Sequence, residues 1–238
     1  MNYNKVKNFI RKFLLGHDIS TYYFSQAGED GILQAIFRKK LEKKEKRFFV
    51  DVGAYHLYKS SNTYLLYING WRGINIDACP GSMRAFNKER PGDINIEMGI
   101  GEKEETLTYY FIDYNSTMNS FSKENLINLG IYEKVKQKLP VKVIPLKKLL
   151  DKYSDKFETI DLLNIDAEGF DLEIIKSNDW TKYKPKVIVI ELDCKNISDL
   201  QNNETAKYLC NMGYEIVAKN VILINIASVV FVDSNYAY

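Results

Sequence analysis

Five short runs rich in Ile, Val and Phe recur along the chain: Phe48 to Gly53, Gly73 to Asp77, Ile94 to Ile100, Ile160 to Asp166 and Val187 to Leu192. Several are apolar at successive positions instead of alternating, so a strand built from them must be covered on both faces. Between them lie stretches of helical period, Ser60 to Ile68, Met83 to Glu89, Leu146 to Tyr153 and Phe170 to Ser177. Buried strands alternating with helices close as a mostly parallel, doubly wound α/β sheet with right-handed crossovers. That is the expected fold class.

Two regions depart from the alternation. After a helix at Glu204 to Asn211, the runs Tyr214 to Ala218, Val221 to Ile226 and Ser228 to Val232 predict a C-terminal antiparallel element with a turn near Lys219-Asn220. Residues 105–142 are less regular: Thr106 to Ile112 alternates as a strand does, whereas Asn115 to Gly130 is polar with aromatics interspersed. This segment reads as an insertion near the functional site, with a mobile surface loop as the competing reading. Tyr109, Tyr110, Phe111, Tyr114 and Phe121 cluster there.

The length of 238 residues suits one domain at 21–238, preceded by an N-terminal helix at 1–20. Within that helix Val6, Phe9, Ile10, Phe13 and Leu14 are interrupted by Lys5, Lys7, Arg11 and Lys12. No signal-peptide core or transmembrane segment is expected, and a cytoplasmic location follows. Lys plus Arg (33) nearly balance Asp plus Glu (31), and a net charge of +2 does not supply the field that nucleic-acid binding needs. No nucleic-acid partner is expected. The basic run Lys39 to Arg47 is interrupted by Glu42 and Glu45 and reads as a solvated helix end. Cys79, Cys194 and Cys210 have no CxxC spacing, which argues against a zinc site or a disulfide framework.

The chemistry concentrates where the strand runs end. Phe48 to His56 is a buried strand finishing in an acid and a glycine, and open α/β sheets bind ligands at that edge. Gly53 lets the backbone approach a ligand, and Asp51 either holds a charged amine or orders the loop. A single glycine is not the GxGxxG of dinucleotide binders. The next run ends in Asp77, where nucleoside-binding domains place an acid on the ribose hydroxyls. The bland alternative is an N-cap before Pro80. Ser25 to Asp30 precedes a helical period and reads as a capping motif.

Asp166-Ala167-Glu168-Gly169 follows the fourth run, and its two carboxylates suit general-base work or the orientation of a hydroxyl. With Glu191 and Asp193 they also make a possible divalent-metal set of oxygen ligands. His56, just past the glycine turn, is either a base or a loop-orienting residue, and His17 reads as surface.

Ser25 to Asp30, Val50 to Ala54 with Ser61-Asn62-Thr63, Gly70 to Gly73 leading to Asp77, and Leu163 to Gly169 together resemble the FkbM-type methyltransferases, over about residues 22 to 195. The resemblance implies a Rossmann-like class I methyltransferase fold and S-adenosylmethionine as cofactor. It implies methyl transfer to a hydroxyl, on a nucleotide-linked or glycan sugar in surface polysaccharide or secondary-metabolite biosynthesis. It places Asp51, Gly53, Asp77, Ala78, Ile100 and Gly101 around the cofactor, with Gln26 and Asn62 nearby. Leu57-Tyr58-Lys59 stands where the family commonly has a proline soon after the histidine, which leaves the shape of that loop open. A sugar hydroxyl needs a destination for its proton, so His56, Asp166 and Glu168 are the catalytic candidates. The oligomeric state is open, a homo-oligomer included. The competing reading is a non-catalytic nucleoside- or partner-binding protein that retains the fold.

Overall fold

A computed structural model of the chain describes residues 23–43 and 45–237. The N-terminal helix expected at 1–20 and His17 lie outside the described residues.

Seven strands form the main sheet: β1 (Phe48–Val52), β2 (Arg72–Asp77), β3 (Ile94–Glu97), β7 (Leu162–Ile165), β8 (Val187–Asp193), β9 (Tyr214–Leu223) and β10 (Ile226–Asp233). Their order is β3-β2-β1-β7-β8-β10-β9. The first five are parallel, and β10 runs antiparallel to both β8 and β9. This is the doubly wound Rossmann-like sheet with a C-terminal antiparallel element that the strand pattern predicts.

The consecutive apolar positions have a simple cause. All five residues of β1 are buried. Phe48, Val50 and Val52 pack into one core, together with Ile74, Leu163 and Ile188. Phe49 points the other way, into a second core with Leu33, Phe37, Leu66 and Trp71. Each face of the sheet therefore has its own layer of helices to bury.

Three local expectations change. The run Ile94 to Ile100 is not one strand: β3 ends at Glu97, and β4 (Gly99–Ile100) joins a second, three-stranded sheet. Gly99 pairs with Val143 of that sheet, and Phe121 and Val143 stand only 2.6 and 2.8 Å from where a Cβ on Gly99 would lie. The turn expected near Lys219-Asn220 is absent, since β9 runs on to Leu223 and turns at 224–225. Asn220 instead pairs with Ser228 and donates through Nδ2 to the Ala27 carbonyl (2.9 Å), which keeps the strand extended there. Finally, 105–142 holds more regular structure than its irregular pattern suggests. β5 (Glu105–Phe111) and β6 (Gln137–Ile144) form an antiparallel pair, and the helix Lys123–Asn128 lies in the connection.

Ser25 to Asp30 folds onto itself at the start of the helix Glu29–Ile36, with Asp30 accepting from the Phe24 amide (2.6 Å) and the Ser25 hydroxyl (2.6 Å). All three cysteines are free. Among the described residues, no helix is long and apolar enough to cross a membrane.

Candidate active site

The ends of β1, β2 and β7 meet at one point. Gly53 has φ +80°, and its amide and that of Ala54 donate to the Ile76 carbonyl at 2.9 and 3.0 Å. A Cβ on Gly53 would sit 1.7 Å from the Asp166 carbonyl oxygen. Only glycine permits this approach.

Beneath that turn Asp51 is buried, with Oδ2 accepting from the Thr63 hydroxyl (2.6 Å) and Oδ1 from Asn164 Nδ2 (2.8 Å). Asn62 Nδ2 donates to Asn164 Oδ1 (2.8 Å), so the loop after β1 is tied to β7 through these side chains. Burial pushes the Asp51 carboxyl above the usual range, against the pull of those hydrogen bonds and of nearby Arg90. Asp51 thus orders the loop.

Asp77 accepts from the Tyr55 amide at Oδ2 (2.8 Å) and the Cys79 amide at Oδ1 (2.7 Å). The helix Met83–Glu89 starts after Ser82, so Asp77 is not its N-cap. A carboxylate has about four acceptor positions, so each oxygen retains one for a ligand.

The Asp166 to Gly169 turn is built by residues that the sequence pattern did not single out. Glu168 and Gly169 have positive φ, 51° and 88°. Asp171 holds them by accepting from the Ala167 amide (3.0 Å) and the Gly169 amide (3.1 Å). From the second sheet's connection, Ser120 Oγ and Asn125 Nδ2 both donate to the Glu168 carbonyl, at 2.8 and 3.0 Å. An acid at a helix start was the one visible signal for Asp171, and nothing marked Ser120 or Asn125. Asp166 and Glu168 are half-buried. Burial, then the charge of Glu191, holds both carboxyls well above the usual carboxylate range.

These strand ends enclose a cavity of about 270 Å³, close to the smallest small-molecule sites. Of the predicted cofactor residues, Gln26, Asp51, Gly53, Asn62, Asp77, Ala78 and Ile100 line it, as do His56, Asp166 and Glu168. Gly101 does not: Phe170 and Val143 press on it, each 2.9 Å from where its Cβ would lie, and Gly99 lines the wall instead. From the 105–142 segment Tyr109, Tyr114 and Phe121 reach the cavity, whereas Tyr110 and Phe111 do not.

The metal set does not come together. Glu191 lines a small adjoining crevice with Glu29 and Asp166, but Asp193 is exposed. Asp193 is the last residue of β8, paired with Ile226 of β10, two residues beyond Glu191. Among the described residues no three His, Cys, Asp or Glu side chains are grouped to hold an ion.

His56 Nδ1 accepts from the amides of Tyr58 (3.3 Å) and Lys59 (3.2 Å), which leaves the proton on Nε2 and the ring in a loop-ordering position. Burial, then Lys59 and Arg90, lowers its pKa below the ordinary 6.5. A depressed histidine contributes stability that is complete above its unfolded value and is lost as pH falls through the folded one. The loop should therefore loosen below pH 6.5. In a pH series of ligand-binding titrations, affinity should fall on acidification in the parent and fall less in His56→Gln.

The profile of the FkbM methyltransferase domain matches residues 51–216, more than half of the chain. The chain belongs to the FkbM methyltransferase family. The FkbM match takes in β2 to β8 complete and the whole second sheet. The strand order is that of the Rossmann-like class I methyltransferase fold. Solved structures similar to this FkbM domain include the methyltransferase FkbM from Methylobacillus flagellatus KT (12% identity, TM-score 0.47), aligned over 79% of this chain and 44% of that one. The chain thus spans under half the length of that protein. A TehB-like SAM-dependent methyltransferase from Corynebacterium glutamicum aligns over 97% of this chain and 96% of its own (12% identity, TM-score 0.41). A protein of the NADB-Rossmann superfamily from Streptococcus agalactiae aligns over 84% and 70% (16% identity, TM-score 0.40). No curated protein matches the chain.

Proposed function

We propose that this FkbM methyltransferase transfers a methyl group from S-adenosylmethionine to a sugar hydroxyl, with the acceptor nucleotide-linked or part of a glycan. The observation that carries the reading is one cavity onto which Asp77 and the Asp166–Glu168 pair both open.

The residues fit the cofactor. The free acceptor positions of Asp77 suit two vicinal ribose hydroxyls. Asn62 Oδ1 is buried with no partner among the described residues, which suits an ammonium donor from the methionine end. Gly53 admits close backbone approach, and Phe86, Met98 and Ile100 offer apolar wall to a purine. The cofactor supplies an electrophilic methyl on a positively charged sulfur.

The chain's own part is to orient the hydroxyl and take its proton. Asp166 and Glu168 fill that role in this reading. Whichever is ionised is a stronger base for being half-buried beside other carboxyls. His56, with Nδ1 occupied, positions the loop and is not the base. The 105–142 segment is the acceptor wall, with Tyr114, Ser116 and Thr117 at its mouth. In the same reading the protein works in the cytoplasm, alone or as a homo-oligomer, in surface-glycan or secondary-metabolite synthesis.

Turnover of Asp166→Asn and Glu168→Gln at saturating S-adenosylmethionine tests the chemistry. The base variant should lose about 10²-fold or more in kcat with little change in cofactor affinity. Unchanged rates in both variants would remove the turn from the reaction.

A further inference from the structure

We infer that the acceptor meets this cavity with an uncharged, hydroxyl-bearing face, as a sugar already joined to a glycan or other aglycone and not as a nucleoside diphosphate sugar. The inference rests on the methyltransferase reading above and narrows its substrate class.

The argument is electrostatic. Asp51, Asp77, Asp166 and Glu168 all line the cavity, and Glu29 and Glu191 line the crevice that opens beside Asp166. Among the described residues, no Lys or Arg lines the cavity. Its one basic ring, His56, is held toward its neutral form. Of the cations close by, Lys59 beside His56 and Arg84 beside Gly81 are exposed and do not line the cavity. Arg90 is fully buried and turned inward, bonded to the Leu57 carbonyl and to Ser61, Thr63 and Asn75.

Proteins hold a diphosphate with guanidinium or ammonium groups, free helix-start amides or a bridging cation. Among the described residues, no guanidinium or ammonium group lines this cavity. At the turn before the helix Met83–Glu89, the Gly81 amide already donates to Glu97 (2.7 Å). Before the helix Asp171–Lys176, the Ala167 and Gly169 amides are taken by Asp171. No three His, Cys, Asp or Glu side chains are grouped to hold a bridging metal. A diphosphate entering this space would find no positive charge lining it, and any carboxyl there that is ionised would repel it.

The mouth has a different chemistry. Tyr114 is 70% exposed, and Ser116 and Thr117 stand beside it. The Tyr55 hydroxyl donates to the Asn115 carbonyl (2.9 Å) and holds that loop over the opening. An aromatic face with neutral hydroxyls suits the C–H face and hydroxyls of a sugar ring. In sequence of reactions, glycosyl transfer, which releases the nucleoside diphosphate, must come before this methylation.

The test is calorimetric titration of the full chain, saturated with S-adenosylhomocysteine, with UDP as the anionic probe, with and without Mg²⁺. The parent should show no saturable binding below about 1 mM. Glu168→Lys should bring saturable binding into that range, a gain of about tenfold or more. Thr117→Lys should do the same at an exposed rim position where folding is not at issue. Saturable UDP binding to the parent overturns the inference. Failure of both folded Lys variants to gain it also overturns the inference, because exclusion would then not be electrostatic. Failure of S-adenosylhomocysteine itself to bind would instead sink the methyl-donor reading, and this inference with it.

Discussion

Gly53→Ala should abolish cofactor binding and cost the fold about 3 kcal/mol or more. The methyl would lie 1.7 Å from the Asp166 carbonyl oxygen, at a φ of +80° that side chains rarely adopt. Neither neighbour can yield cheaply. The Gly53 and Ala54 amides are committed to Ile76, and the Asp166 amide donates to Val52 (2.9 Å). Relief therefore requires β1 and β7 to part at the point where the cavity begins. Urea unfolding together with ligand titration reads both effects. An Ala variant within about 1 kcal/mol of the parent, with unchanged affinity, would mean that this strand junction is not as described.

Arg90→Met should destabilise the protein by about 3–5 kcal/mol, because it strips buried Ser61, Thr63 and Asn75 of a hydrogen-bond partner and removes a charge that favours two buried carboxylates. Arg90 is fully buried, bonds to Thr63 (3.1 Å), Asn75 (3.2 Å) and Ser61 (3.1 Å), and packs against the rings of Tyr64, Tyr67 and Phe86. Its charge favours the ionised forms of Asp51 and of Asp93, which burial pushes up to about 6. Met preserves most of the apolar stem, so the loss isolates the charge and its hydrogen bonds. Without Arg90 both acids shift further upward. Acids raised above their unfolded values contribute stability that is present at low pH and lost as pH rises through the folded pKa. The deficit of Arg90→Met should therefore shrink as pH is lowered from about 8 to about 5. A deficit that is constant across this range would mean that Arg90 acts by packing alone.

Much of the sheet was legible because burial on both faces writes itself as consecutive apolar residues, as in Phe48 to Val52. The same signal misled at Ile94 to Ile100, where apolarity continues across two strands of different sheets. Past the break Gly99 pairs with Val143 of the second sheet, a partner far along the chain. Lys219-Asn220 has turn chemistry locally, yet a carbonyl from residue 27 captures the Asn220 amide and keeps the strand straight. Asp51, Asp77, Asp166 and Glu168 were visible as acids at strand ends, where a doubly wound sheet collects its ligand groups. Their partners were not visible. Arg90 follows the charged end of the Met83–Glu89 helix with nothing to mark it, and Ser120 and Asn125 reach Glu168 from the connection between β5 and β6. Gly101 looked like a wall residue from its place after a strand, but Phe170 closes over it.

The most direct test of the central claim, that the strand ends around Asp77 form an S-adenosylmethionine site, is calorimetric titration with S-adenosylhomocysteine. The parent should bind with a Kd on the order of 1 µM, and Asp77→Ala, with an unchanged melting temperature, should bind at least about tenfold more weakly. No binding by the parent, or equal affinity in the folded Asp77→Ala variant, would contradict it.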